Sequence, residues 1–186
     1  MDLSPAKREI LEAILLLGKA AKAAEVAKEI NQKTPTVQMH LIGLTRAGYA
    51  SSPEKGQYAI TEQGKKALNL PEVTKEKAEA ILKPVPSDSA FYFYAGIGNP
   101  LNVSAHSLQD FCDKITTVTS DCAEFHMNRG DFEAWFTYLG DEELAKKTGL
   151  LKQRKLSGED LRNKLLSVVQ DRCIALSTIA GQTAQP

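Results

Sequence analysis

Apolar residues recur at helical spacing from the first turn of the chain. Ile10, Leu11, Ile14, Leu15 and Leu17 follow Ser4-Pro5 and stop at Gly18, so an N-cap, a first-turn proline and a terminating glycine frame a first helix. AAEVAKEI sets Ala23, Val26, Ala27 and Ile30 on one stripe and predicts a short second helix that ends at Asn31. Thr34-Pro35 reads as an N-cap followed by proline at the first helical position, and Val37, Leu41, Leu44 and Ala47 recur behind it until Gly48. Residues 49–52 and 57–61 read as two strands reversed by Pro53-Glu54-Lys55-Gly56, a hairpin with a basic tip. Thr61 then caps a fourth helix, TEQGKKALNL, whose Leu68 and Leu70 fold back on the first three.

Beyond Leu70-Pro71, Thr74 caps a charged helix KEKAEAILK, and Pro84-Val85-Pro86-Ser87-Asp88-Ser89 interrupts it. The expected organisation is a domain over residues 1–70, a helical and proline-rich linker over 71–89, and a second domain over 90–180. Phe91-Tyr92-Phe93-Tyr94-Ala95 is the one strongly β-prone run, followed by a turn at 96–100. A lone strand needs a partner: the same strand of a second protomer, or helices that bury it. From Ser104 the pattern turns helical. Helices are expected in SAHSLQDFCDKI, SDCAEFHMN, DFEAWFTYL, DEELAKKTGLL behind Asp141, and GEDLRNKLLSVVQDRCIAL behind Ser157, with Asp160 completing a capping-box-like pair. The terminal GQTAQP is expected to fray.

The predicted fold class is therefore mainly α with a small β-hairpin wing: a winged helix domain plus a second, mostly helical domain. Lys+Arg and Asp+Glu number 23 each, so the formal net charge is zero and the chain as a whole exerts no attraction on nucleic acid or acidic lipid. The charge is unevenly spread: residues 1–70 hold ten basic against seven acidic residues, and 71–186 hold thirteen against sixteen. Cys112, Cys122 and Cys173 form no CxxC pair, which argues against a zinc site or a disulfide framework. They read as reduced thiols. Cys112 and Cys122, close in sequence, also admit a redox pairing, although Cys112 on an apolar face reads first as a small hydrophobe. No signal-peptide core and no membrane-length apolar run occurs, so a cytoplasmic protein without membrane partners is expected.

The stretches AAEVAKEI, TPTVQMHLIGLTRAGY and GQYAITEQGKKAL resemble archaeal and bacterial winged helix-turn-helix regulators, including the MarR-like and ArsR-like groups. The words Tyr58 to Leu68 carry the most specific part of that resemblance. It implies a third helix lying in the major groove and a hairpin touching the backbone nearby. The residues suit that role. Gln38 can present an amide to adenine, Thr36 and His40 can donate to base edges or phosphates, and Lys33, Arg46 and Lys55 can neutralise phosphates. The expected DNA-binding set is Lys33, Thr34, Thr36, Gln38, Met39, His40, Arg46, Lys55, Gln57 and Tyr58. The cysteine pair of ArsR-like metal sensors is missing, and no metal, cofactor or catalytic residue is assigned. The expected function is that of a non-enzymatic transcriptional regulator acting on duplex DNA as a homodimer. The alternative is a protein-protein interaction module that uses the same helix for docking.

FYFYAGIGNPLNVSAHSLQDF and EFHMNRGDFEAWFTYLGDEELA resemble an archaeal domain of unknown function also found with glycan-active enzymes such as trehalose synthases. That likeness spans most of residues 90–176 and supplies no catalytic residues. His106, His126, Arg129, Asp131 and Trp135 are its chemically prominent positions. Three readings fit them. In the first, Asp131 caps a helix, Arg129 satisfies carbonyls and Trp135 fills the core. In the second, they form an effector pocket for a small anionic or sugar-like molecule. In the third, two histidines and a carboxylate hold a metal, although no spacing enforces it.

Overall fold

Ser4 and Pro5 open α1 (Pro5–Leu17), which ends at Gly18 in the left-handed region at φ 70°. The computed structural model describes residues 3–181, so the remaining residues of the expected frayed end, 182–186, lie outside it. The chain is mostly helical with small antiparallel sheets. It divides into two compact units, Met1–Glu72 and Val73–Pro186.

In the first unit, α1 is followed by β1 (Ala21–Lys22), α2 (Ala23–Glu29), α3 (Thr34–Arg46), β2 (Ala50–Ser51), β3 (Gln57–Ile60) and α4 (Glu62–Ala67). The three short strands form one antiparallel sheet in the order β1-β3-β2, with Ala21 opposite Tyr58 and Ala50 opposite Ile60. Ile10, Leu11, Ile14 and Leu15 of α1, Val26 and Ala27 of α2, and Val37, Leu41 and Leu44 of α3 are buried together with Leu68 and Leu70. Two details differ from expectation. Thr34 is the first residue inside α3 and Lys33 takes the N-cap without a side-chain bond. Ala47, expected on the buried stripe, is exposed, because the helix has closed by Arg46 and leaves it as the C-cap.

The words Thr61-x-x-Gly64 have a local physical role. The Thr61 hydroxyl accepts from the Gly64 N–H at 3.1 Å and donates to the Gly48 carbonyl at 2.6 Å, tying α4 to the end of α3. Gly64 lies directly against the Tyr49 carbonyl, where a Cβ has no room.

The second unit begins with α5 (Lys75–Leu82). Residues 75–82, expected within a linker, pack on the last helix with Ala78 and Ile81 buried. β4 (Phe91–Gly96) and β5 (Asn99–Ala105) then form a hairpin, with Phe91 opposite Ala105. This corrects the expectation of a solitary strand. NPLNVSA carries no strong alternation of its own, so only its pairing with β4 makes it a strand. α6 (Leu108–Ile115), α7 (Ser120–Arg129), α8 (Asp131–Tyr138), α9 (Glu142–Gln153) and α10 (Gly158–Ala180) complete the unit. Ser107, Thr119 and Asp141 cap α6, α7 and α9 through their side chains. The expected capping pair at Ser157 is not made: its side chain accepts no bond from the helix, and the Gly158 N–H goes instead to the Glu124 carboxylate.

Inside this unit Arg172 of α10 is 1% exposed. Its Nε and Nη2 grip Asp141 at 2.8–3.1 Å, and Nη1 meets Glu143 at 2.9 Å. Lys147 closes the set, 3.0 Å from Glu143. Arg172 stands in the stripe Leu161, Leu165, Val168, Val169, Leu176, where every neighbour is apolar. Cys112 of α6 has Cys173 of α10 as its neighbour, and that thiol together with burial pushes the Cys112 thiol up; all three cysteines are free and buried. Burial pushes the Cys122 thiol up to about 11.

Two outcomes test this packing. Arg172→Met leaves Asp141 buried without its cation and is expected to cost about 3–5 kcal/mol, with part of the loss recovered in the Arg172→Met, Asp141→Asn double variant. Gly64→Ala forces a methyl group against the Tyr49 carbonyl and is expected to cost about 1–3 kcal/mol. Urea-denaturation midpoints measure both.

Candidate functional site

α3 turns Val37, Leu41 and Leu44 into the first unit and leaves Lys33, Thr34, Thr36, Met39 and Arg46 exposed. The centre of its outward side is more apolar than expected, because Met39 is 64% and Ile42 is 39% exposed. Lys33 and Arg46, at the two ends, form no ion pair among the described residues. Lys55 is exposed at the hairpin tip, and Gln57 donates to the neighbouring Glu54 carboxylate at 2.6 Å.

Two residues expected to contact a partner are committed within the fold. Tyr58 is 6% exposed, and its hydroxyl accepts from Gln38 Nε2. Tyr58 is therefore a buttress beneath α3 and not a free contact. Gln38 keeps one amide hydrogen and its carbonyl oxygen. His40 and Thr36 lie to one flank of α3, lining a small cleft with Glu9, Ile10 and Gln32.

In the second unit a pocket of about 330 Å³ opens beside the β4–β5 hairpin. Tyr92, Tyr94, Ile97, Phe125, His126, Arg129 and Asp131 contribute to its wall. The FYFY alternation builds it. Phe91 and Phe93 point into an aromatic core with Phe111, Phe132 and Trp135, which leaves Tyr92 and Tyr94 on the opposite face. That period-two alternation was the available signal for the two tyrosines. Phe125 and Ile97 had none, since only the tertiary fold brings the end of α7 to the hairpin tip.

Gly130, at φ 79°, ends α7 and starts α8, so Arg129 and Asp131 flank one sharp corner. Asp131 Oδ2 takes a bond from His126 Nδ1 at 2.7 Å and from Arg129 Nε at 3.2 Å. Asp131 is the first residue of α8 and makes no side-chain cap, so of the expected cap and Arg129 pair only the pair is made, with His126 as a second partner. His126 Nε2 accepts the Tyr94 N–H at 2.9 Å, which assigns the ring proton to Nδ1 and uses both nitrogens. Such a histidine fastens β4 to α7. It has no lone pair left for a metal or for proton transfer. The Arg129 guanidinium lies 5.2 Å from the Phe125 ring centroid, with its Nη atoms unbonded among the described residues.

The other two candidates lie elsewhere in the unit. His106 holds the Val85 carbonyl through Nδ1 at 3.2 Å and Ser104 through Nε2 at 3.3 Å. Trp135 is buried in the aromatic core, stacked on Phe111, and its indole N–H donates to the Ser89 carbonyl at 3.0 Å. Arg129, Asp131 and His126 thus share one pocket, while His106 and Trp135 support the frame. Among the described residues no cluster of His, Cys, Asp or Glu has the arrangement of a metal site. No described helix is long and apolar enough to cross a membrane.

Burial holds the His126 imidazole below its ordinary value, against the upward pull of Asp131. An unfolded histidine takes up its proton near pH 6.5 and the folded one only at lower pH. Stability is therefore full above that pH and falls as the solution is acidified below it. Urea midpoints between pH 8 and pH 5 should show this decline, and His126→Gln should flatten it.

No family model, no curated protein and no solved structure matches this chain.

Proposed function

We propose that residues 1–72 form a winged helix-turn-helix that binds duplex DNA, and that the protein is a transcriptional regulator whose second unit senses a small molecule. The element order α1-β1-α2-α3-β2-β3 with the sheet order β1-β3-β2 supports the winged reading. So does the resemblance of these residues to MarR-like and ArsR-like regulators.

One observation carries the DNA reading: α3 offers an exposed side with a cation at each end that forms no ion pair among the described residues. Lys33 and Arg46 are separated by thirteen residues, roughly 20 Å along a helix. A major groove about 12 Å wide has a phosphate ridge on each side, so the helix body fits between ridges that the two cations reach. Thr34 and the free half of the Gln38 amide then face base edges, and Met39 and Ile42 suit thymine methyl groups. Lys55 on the wing adds a third phosphate contact. Three cations give weak binding per module, which is the reason a pair of modules on two half-sites about one helical turn apart is proposed.

The exposure of Met39 and Ile42 also favours a second reading, in which α3 docks on an apolar groove of another protein. Salt separates the two. DNA affinity should fall steeply between 50 and 200 mM salt, and the slope of log K against log salt should flatten by about one unit for each of Lys33→Ala and Lys55→Ala. An affinity for random-sequence duplex that is absent or insensitive to salt overturns the DNA reading. Sedimentation of the protein with a two-half-site duplex tests the pair.

A further inference from the structure

The pocket beside the β4–β5 hairpin has a chemical character that narrows what it takes. Its wall is mainly aromatic and aliphatic: Tyr92, Tyr94, Phe125 and the hairpin-tip residue Ile97, which is 88% exposed. At about 330 Å³ it matches small-molecule sites at the lower end of their size range. A body of one or two rings, or a branched aliphatic chain of similar bulk, covers these rings and shields Ile97 from water.

Charge decides the rest. An aromatic box of this kind also suits a quaternary ammonium, because ring faces attract cations. Here Arg129 already covers one face of Phe125, and a second cation beside it is repelled, while a neutral ring on the rest of Phe125 is not. The Asp131 carboxylate does not reverse that, since its Oδ2 is shared between His126 and Arg129. His126 is neutral in this arrangement and has no proton to offer, because its single N–H serves Asp131 and its other nitrogen serves Tyr94. The charged group with donors to spare among the described lining residues is the Arg129 fork, and the Tyr94 hydroxyl is a neutral donor beside it. The Arg129 Nε is bonded to Asp131 and its Cζ lies 5.2 Å over the Phe125 ring, which leaves the two Nη groups for a ligand at the pocket wall.

A planar fork with two free donors fits a carboxylate. A phosphate dianion needs more positive charge than this. Arg129 is the single cation among the lining residues and its partner Asp131 offsets its charge, so the wall is formally neutral and suits at most a singly charged group held by the Nη donors. We propose that this pocket binds monocarboxylic acids that carry an aromatic or bulky apolar body, with the carboxylate on the Arg129 Nη atoms and the body between Tyr94, Phe125 and Ile97. The inference deepens the sensing role proposed for the second unit and rests on that reading only for its effect on DNA.

Phenylacetate and its uncharged counterpart phenylacetamide are suitable probes, titrated calorimetrically into the full-length protein. Phenylacetate should bind saturably and more tightly than the amide. Arg129→Gln should weaken phenylacetate about ten-fold or more, as expected for loss of a charge-assisted contact, and leave the amide unchanged. Ile97→Ser, at an exposed tip where folding is indifferent to the change, should weaken both probes equally. Equal affinity of wild type and Arg129→Gln for phenylacetate, or no saturable binding of phenylacetate, overturns the proposal. Repeating the DNA titration with phenylacetate present separates the two readings. Arg129-dependent binding without a change in DNA affinity upholds the pocket and removes the sensing role.

Discussion

A guanidinium removed from water has to be surrounded by carboxylates, and Arg172 meets that condition inside the second unit. Desolvating such a group costs several kcal/mol, which good geometry alone offsets. The fork-to-fork grip on Asp141, with Glu143 on the remaining donor and Lys147 behind it, supplies that geometry. Asp141 is at the same time the N-cap of α9, accepting the Leu144 N–H at 3.1 Å. One carboxylate thus sets both where α9 begins and how α10 sits against it. α5, α6 and α7 also pack on α10, so the placement of the whole unit follows from a helix that is locked in register by charge.

The pocket is positioned by a second layer of the same unit. Phe91 and Phe93 pack against Phe111, Phe132 and Trp135, and this fixes the height of β4 over the helices. His126 then joins β4 to α7 at one atom on each side, through Tyr94 N–H and Asp131. The loudest residue of the region in chemical terms is consumed by structure. The group it leaves available is Arg129, whose orientation is inherited from Asp131 and Phe125. A side chain held by its neighbours in this way has little conformational freedom left to lose.

In the first unit the outward side of α3 is set by what lies beneath it. Tyr58 on β3 supports Gln38 from below, and Thr61 with Gly64 secures α4 against the turn that follows α3. The helix consequently presents Lys33, Thr34, Met39, Ile42 and Arg46 on a rigid base. Cations occupy its ends and exposed apolar side chains its middle.

Local signals determined the helices. Proline after Ser4, the capping residues Thr61, Thr74, Thr119 and Asp141, and the apolar stripes of α1, α2 and α3 all act within a few residues, so they are legible along the chain. The FYFY alternation likewise fixed which rings of β4 face inward. Partners far apart in sequence were decided only by the tertiary structure. β5 became a strand because β4 lay beside it, and Gln38 lost half its amide to Tyr58. Asp141 and Glu143, which look like a solvated helix start, were claimed by an arginine some thirty positions later in the chain. Propensity and capping are properties of neighbours along the backbone, whereas the desolvation of a charge or a ring depends on what the fold packs around it.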